Sequence, residues 1–170
     1  MSSEGPAFPA LGFYLNVGPA AIAGREKFSL IWNAEDLSSC DSWDLKYGKH
    51  LGMLVVDRHC RAWRVASVVD LGIIGSFWER VLRFVLRQSM HALSQELVEV
   101  EAFALEQIKE RVCASIQGNP DDWRDDELIA GEAGPPRDEQ ELLDEMCAAV
   151  RGAGSLVQLI NALYEEEIEE

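Results

Sequence analysis

The stretch GMLVVDRHCRAWRVASVV, from Gly52 to Val69, carries the strongest structural signal in the sequence. It consists of a short apolar run (52–56), four residues typical of a turn (57–60) and a longer run rich in β-forming residues (61–69). Two such runs joined by a turn predict a β-hairpin, which we place at the centre of an antiparallel sheet. Side chains alternate between the two faces of a strand, so the second run presents two sets of side chains. One set is Ala62, Arg64, Ala66 and Val68, and the other is Trp63, Val65, Ser67 and Val69.

Two further strands are predicted on the N-terminal side of this hairpin. Residues 11–17 are mostly apolar and are followed by a Gly-Pro pair, which ends a strand. Residues 28–32 begin with an apolar–polar alternation and then become fully apolar. Residues 1–9 contain a glycine and two prolines and are predicted to form a loose arm, whereas residues 33–49 are polar and are predicted to form a surface connection.

The segment 76–117 has two interpretations. Ser76 followed by Glu79 matches a capping box, which predicts the start of a helix. The apolar stripe of that helix is Trp78, Val81, Leu82 and Val85. Residues 97–102 are apolar or acidic, and the two kinds alternate from Val98 onward, which predicts a strand. The alternative is one long helix over the whole segment.

Three helices are predicted in the second half of the chain. The first ends at Gly118, because Asn119 and Pro120 follow it. The next two begin with the N-cap residues Asp138 and Ser155. Their apolar stripes are Leu105, Ile108, Val112 and Ile116, then Leu142, Leu143, Met146 and Val150, and finally Leu156, Leu159, Ile160 and Leu163. Residues 131–137 are predicted to form a loop, and residues 165–170 a frayed acidic tail.

These elements predict a single α+β domain over residues 1–170. A mostly antiparallel sheet from the N-terminal half packs against helices from the C-terminal half. The sequence lacks a regular alternation of strand and helix, so a doubly wound nucleotide-binding sheet is not expected.

Charge is distributed very unevenly along the chain. The 170 residues carry a formal net charge of −15. Residues 1–95 contain 10 Lys and Arg against 9 Asp and Glu, whereas residues 96–170 contain 5 against 21. Such an acidic half repels phosphates, which argues against nucleic acid as a partner, and it attracts a basic protein. No apolar run reaches the roughly 18 residues of a membrane-spanning helix, so no membrane association is expected.

The chain contains no motif for catalysis, for a metal or for another cofactor. The cysteines form no C-x-x-C pair, and together with His50, His59 and His91 they lack the fixed short spacings of zinc ligands. General acid–base catalysis needs a carboxyl group in a dry pocket, but the paired carboxylates lie in runs of like charge. We therefore expect no enzymatic activity, no metal and no cofactor in a cytoplasmic protein with reduced thiols. Those thiols belong to Cys40, Cys60, Cys113 and Cys147.

The candidate partner-binding segment is the acidic run that follows the first of the three C-terminal helices. A tryptophan framed by carboxylates combines an apolar contact with electrostatic steering, and tryptophan is enriched at interface hot spots. The alternative is that this tryptophan folds back to cover the end of the helix. The predicted partner-binding residues are Asp121, Asp122, Trp123, Asp125, Asp126 and Glu127.

Three segments resemble small acidic bacterial immunity (antitoxin) proteins of interbacterial toxin systems. They are the hairpin, the helix end NPDDW (119–123) and the final helix sequence SLVQLI (155–160). The resemblance implies a non-enzymatic cytosolic protein that binds and neutralises one cognate basic toxin or effector. Two alternatives stay open. One is an adaptor or chaperone for a secreted effector. The other is a small-anion-binding or enzymatic domain that uses Arg80, Arg83 and Arg87 together with His91.

Overall fold

The computed structural model describes residues 5–15, 25–76, 78, 89–123 and 138–164. The strands are β1 (Ala10–Leu15), β2 (Glu26–Ile31), β3 (Ser39–Asp41), β4 (Leu54–Asp57), β5 (Ala62–Ile73) and β6 (Met90–Val100). The helices among these residues are α1 (Ala34–Leu37), α2 (Ser42–Tyr47), α3 (Leu105–Gly118), α4 (Glu139–Gly152) and α5 (Leu156–Tyr164), with a 3-10 turn at Pro120–Asp122. All strand pairs are antiparallel, in the order β2–β1–β4–β5–β6–β3. The predicted α+β class is confirmed.

Both faces of the sheet are covered. On one face, strand residues such as Leu11 and Val56 pack against α3, α4 and α5. On the other face, Val55 and Val65 pack with Leu37 of α1. Consecutive residues of β4 therefore point alternately into two different cores. This explains why the central run of the hairpin is apolar without interruption, as strands buried on both faces are.

Asp57 organises the turn of the β4–β5 hairpin. Its fully buried carboxylate accepts hydrogen bonds on Oδ1 from the N–H groups of His59 and Arg61, both at 2.9 Å. Its Oδ2 accepts from the N–H of Ala7 at 3.2 Å. Cys60 has a φ of 61° and donates its N–H to the Asp57 carbonyl at 2.8 Å. Backbone donors thus satisfy a buried charge and hold a non-glycine residue in the left-handed region.

Strands β5 and β6 extend beyond β4 as an arm, and β3 pairs with the far end of β6. The pairing of β4 with β5 reaches only Leu54 opposite Arg64, whereas β5 and β6 stay paired as far as Ile73 opposite His91. On the side that faced β4, the far part of β5 has no strand partner among the described residues. The arm therefore presents an open sheet edge.

The alternation predicted for β5 fails at a β-bulge. The register with β6 shifts between Val65 and Ser67. Beyond the shift, Val68 packs against the same core as Val65. The prediction that Val65 and Val68 lie on opposite faces is wrong, because an inserted residue reverses the alternation that follows it.

Helices α3 and α4 pack antiparallel to each other. The Cys113 thiol donates to the Cys147 carbonyl at 3.7 Å, and the Cys147 thiol donates to the Cys113 carbonyl at 3.9 Å. Lys109 Nζ donates to the Arg151 carbonyl at 3.1 Å. These contacts place the start of α3 beside the end of α4. The end of α3 therefore lies beside the start of α4.

The signals predicted for the three C-terminal helices are confirmed. Helix α3 ends at Gly118. The Asp138 carboxylate accepts from the N–H groups of Gln140 and Glu141 at the start of α4. The Ser155 hydroxyl accepts from the N–H of Gln158 at 3.2 Å. The predicted stripes lie on the buried sides of their helices, with Cys147 as an additional core residue of α4.

The surface connection predicted over 33–49 is wrong, because α1, β3 and α2 occupy it. The Asn33 side chain accepts from the N–H groups of Glu35 and Asp36 and begins α1. The Asp41 side chain accepts from the N–H of Asp44 and begins α2. Each helix is too short to reveal an apolar periodicity, so its cap is the main local signal.

The predicted loose arm is held to the sheet where it is described. Ala7 donates to Asp57, its carbonyl accepts from the N–H of Arg58 at 3.2 Å, and Pro9 is buried. The alternative of one long helix over 76–117 is wrong, because β6 lies inside it. Trp78, predicted to be buried, is 77% exposed. The end of the first predicted strand at 16–19, the helix predicted after Ser76 (residues 77 and 79–88) and the remaining predictions for 1–4, 131–137 and 165–170 lie outside the described residues.

Replacing Asp57 with Ala leaves three backbone N–H groups without their acceptor. We expect Asp57→Ala to lower the free energy of unfolding by about 3 kcal/mol or more, as measured by urea denaturation. The matched variant Asp57→Asn keeps one acceptor oxygen for His59 and Arg61 but presents an amide to Ala7. It should lose only part of that stability. Equal, small losses in both variants would contradict the role assigned to the carboxylate.

Candidate protein-binding surfaces

An acidic surface forms where α3 ends and α4 begins. The antiparallel packing of the two helices brings these ends together, although 14 to 20 residues separate them in sequence. Each carboxylate here is solvent-exposed. The surface, called the acidic end below, consists of Asp121, Asp122, Asp138, Glu141 and Asp144.

Two cations from the start of β2 reach this end of the helical layer. Lys27 Nζ lies 2.6 Å from a carboxylate oxygen of Asp122. Arg25 donates to the carbonyl of Gly118. Asp121 and Glu141 form no ion pair with any described residue. Among the described residues, negative charge therefore exceeds positive charge at the acidic end.

Two cations of α3 pair with carboxylates that do not belong to the acidic end. Arg111 of α3 binds Glu26 of β2 at 2.5 Å. Lys109 is almost fully buried and binds Glu106 at 2.8 Å, one turn earlier on the same helix. Neither pair includes a carboxylate of the acidic end.

Trp123 does not point outward as a free apolar contact. Its ring stacks on Phe28 of β2 with a centroid distance of 5.0 Å, and it meets the edge of Tyr164 at 6.2 Å. It is half-buried against the core under the helices. This geometry favours the interpretation in which the tryptophan covers the end of α3. Its partner-binding role stays a prediction.

The structure brings together only part of the predicted partner-binding segment. Asp121 and Asp122 belong to the acidic end, whereas Asp125, Asp126 and Glu127 lie outside the described residues. Sequence reasoning missed Glu141 and Asp144, because it searched for acidic runs along the chain. Their position beside Asp121 depends on how two helices pack, and the apolar stripes predicted for α3 and α4 were the only signal of that packing.

A second surface, on the arm, is apolar. Val69, Leu71 and Ile73 of β5 are between 42% and 64% exposed, and Trp78 is more exposed still. Asp70 introduces one charge, and its carboxylate lies 3.1 Å from Nδ1 of His91. Exposed apolar side chains on an open sheet edge favour contact with another strand or with an apolar partner surface.

The thiol and imidazole groups near α2 are not arranged for nucleophilic catalysis. Burial, together with the nearby carboxylates of Asp44, Asp41 and Asp70, raises the pKa of Cys40 to about 11, so the thiol stays protonated. Burial also lowers the pKa of His50, so its imidazole is neutral at pH 7. No group of three or more metal-ligating side chains occurs within the described ranges. The predicted anion-binding residues Arg80, Arg83 and Arg87 lie outside those ranges.

The aromatic contacts of Trp123 give a direct test of its position. We expect Trp123→Ala to lower the free energy of unfolding by about 2–3 kcal/mol, because a half-buried aromatic ring leaves the core. Urea denaturation measures the change. Asp121→Asn, two residues away and exposed, should stay within about 0.5 kcal/mol of the wild type. An unchanged stability of the tryptophan variant would mean that its ring does not cover the core.

His50 makes the stability of the fold depend on pH. Its pKa is lowered mainly by burial and then by the charge of Lys49, against smaller opposite effects of Asp44 and Asp41. The unfolded chain therefore takes up this proton more readily than the folded chain. The pKa of a histidine in the unfolded chain is about 6.5, and well above this pH His50 has no effect on stability. As pH falls through this value, the free energy of unfolding decreases progressively.

Urea denaturation at about pH 7.5 and pH 5.5 checks this dependence. The wild type should lose more stability between the two pH values than His50→Gln does. Parallel losses in the two proteins would assign the dependence to other groups. The exposed His59→Gln is the control and should keep the wild-type dependence.

Comparisons with known proteins give no relative for this chain. No family model matches it, and no curated protein and no solved structure is significantly similar to it. Within the described residues, no helix combines the length and the apolar character that crossing a membrane requires.

Proposed function

We propose that this protein is a non-enzymatic binding protein that neutralises a basic partner, as an immunity protein neutralises its cognate toxin. The observation that carries the proposal is the excess of exposed carboxylates at the acidic end. Asp121 and Glu141 have no cation of their own chain beside them within the described part. A preformed electronegative surface of this kind speeds encounter with a cationic surface.

The architecture supports a docking surface on rigid elements. All five carboxylates sit on α4, on its N-cap or at the 3-10 turn that closes α3, and the buried Cys113–Cys147 contact holds the two helices together. The acidic groups near the start of α4 are also stabilised by the positive end of the helix dipole. Little side-chain ordering is then needed when the partner arrives, which favours fast association.

The test uses the purified protein encoded by the gene adjacent to this one as the probe. Its association rate is measured between about 50 and 300 mM salt, a range over which screening of exposed charges increases strongly. We expect the association rate to fall steeply with salt and the activity of the probe to be blocked in the complex. No binding, or an association rate independent of salt, would remove the proposal.

A matched pair of charge variants locates the contact. Glu141→Gln/Asp144→Asn should slow association by about tenfold at low salt while changing dissociation little. The double variant Glu35→Gln/Glu101→Gln also removes two negative charges. One lies on α1 and the other in the segment before α3, and both are remote from the acidic end. It should leave association near the wild-type rate. Equal slowing in both variants would assign the effect to net charge alone.

The exposed apolar arm favours one second candidate function, that of an adaptor or chaperone for an effector. An adaptor covers apolar surface of its client without blocking the client's activity. Leu71→Ser would then weaken the complex, whereas the acidic-end variant would not. Retained activity of the bound probe, combined with that result, would select the adaptor over the inhibitor.

A further inference from the structure

A pocket of about 420 Å³ lies on the face of the sheet that α3, α4 and α5 do not cover. Its walls come from the N-terminal segment, from α1 and from β6. The apolar part includes Phe8, Leu37, Leu93 and Leu97, and none of the described lining residues is charged. The volume is within the range of small-molecule sites.

The side-chain polar groups of the described wall are hydrogen-bonded, with one exception. The Ser38 hydroxyl donates to the Glu35 carbonyl at 2.9 Å. Gln95 Nε2 donates to the Leu37 carbonyl at 2.5 Å and lies 3.0 Å from Nδ1 of His50. Gln95 Oε1 is buried and has no hydrogen-bond partner.

The orientation of the Gln95 amide is fixed by its neighbour. Exchanging its oxygen and nitrogen would place Oε1 against the carbonyl oxygen of Leu37, and two acceptors repel each other. The unpaired atom is therefore an acceptor. Leaving such an atom buried without a donor is unfavourable, so native structures rarely do so without a reason.

We propose that this pocket binds a neutral, largely apolar small molecule that donates one hydrogen bond to Gln95 Oε1. A charged ligand is disfavoured, because the walls offer no opposite charge to replace its water. Because Oε1 is itself buried, binding requires a rotation of the terminal torsion of Gln95, which is soft, to turn Oε1 toward the pocket. The site lies on the opposite face from the acidic end and goes beyond the proposed function.

The probe is N-phenyl-1-naphthylamine, an uncharged aromatic amine with one N–H group whose fluorescence rises in apolar surroundings. Its N-methyl derivative has the same rings but no donor. We expect the wild type to bind the N–H compound about fivefold to tenfold more tightly than the N-methyl compound, as one net hydrogen bond would give. Equal affinities for the two compounds would overturn the proposal without any variant.

Three variants test whether the probe binds in this pocket. Gln95→Leu should bind both compounds alike, and Leu97→Trp should bind neither, because its side chain fills the pocket. Leu71→Ser, on the exposed arm, should keep the wild-type affinities and the preference for the donor. Circular dichroism confirms that each variant is folded. Undiminished binding by Leu97→Trp, or binding lost in Leu71→Ser, would place the probe elsewhere and overturn the proposal.

Discussion

The buried carboxylate of Asp57 is the interaction on which both sides of the molecule depend. Its three backbone hydrogen bonds fix the β4–β5 turn and tie Ala7 to it. This turn also positions the chain before α3, because the carbonyl of Cys60 accepts a hydrogen bond from the N–H of Phe103 at 3.2 Å. The direction of α3 sets where the acidic end forms, and the segment held at Ala7 supplies one wall of the pocket. One buried charge thus links two surfaces on opposite faces of the sheet.

The two faces of the sheet differ in chemistry. The helical face carries carboxylates on rigid elements above a core closed by Trp123, Phe28 and Tyr164. The other face is covered by short elements, and among them a neutral pocket forms beside Gln95 and His50. A chain with 30 acidic residues keeps this pocket free of charged side chains in its described part. The acidic end and the pocket are therefore separated in space, so substitutions can alter one surface without touching the other.

Local signals in the sequence were sufficient for the elements with strong patterns. The hairpin, the caps at Asp138 and Ser155 and the stripes of α3, α4 and α5 follow from periodicity and capping, which act over a few residues. Periodicity could not reveal α1 and α2, which are only 4 and 6 residues long. The bulge after Val65 depends on pairing with β6, and the stacking of Trp123 on Phe28 joins residues 95 positions apart. The acidic end and the pocket arise from tertiary packing, so the sequence identified only some of their residues and not their assembly.

The electrostatic field around the folded chain can be measured without any partner. The measurement compares paramagnetic relaxation of backbone amide protons by a cationic and by an anionic nitroxide at low salt. We predict that amides near Asp121 and Glu141 relax much more strongly with the cationic compound, and that amides near Leu71 on the arm respond almost equally to both. Added salt should reduce the difference at the acidic end. The same ratio of relaxation at both places would mean that the carboxylates form no distinct electronegative surface, and would contradict the account.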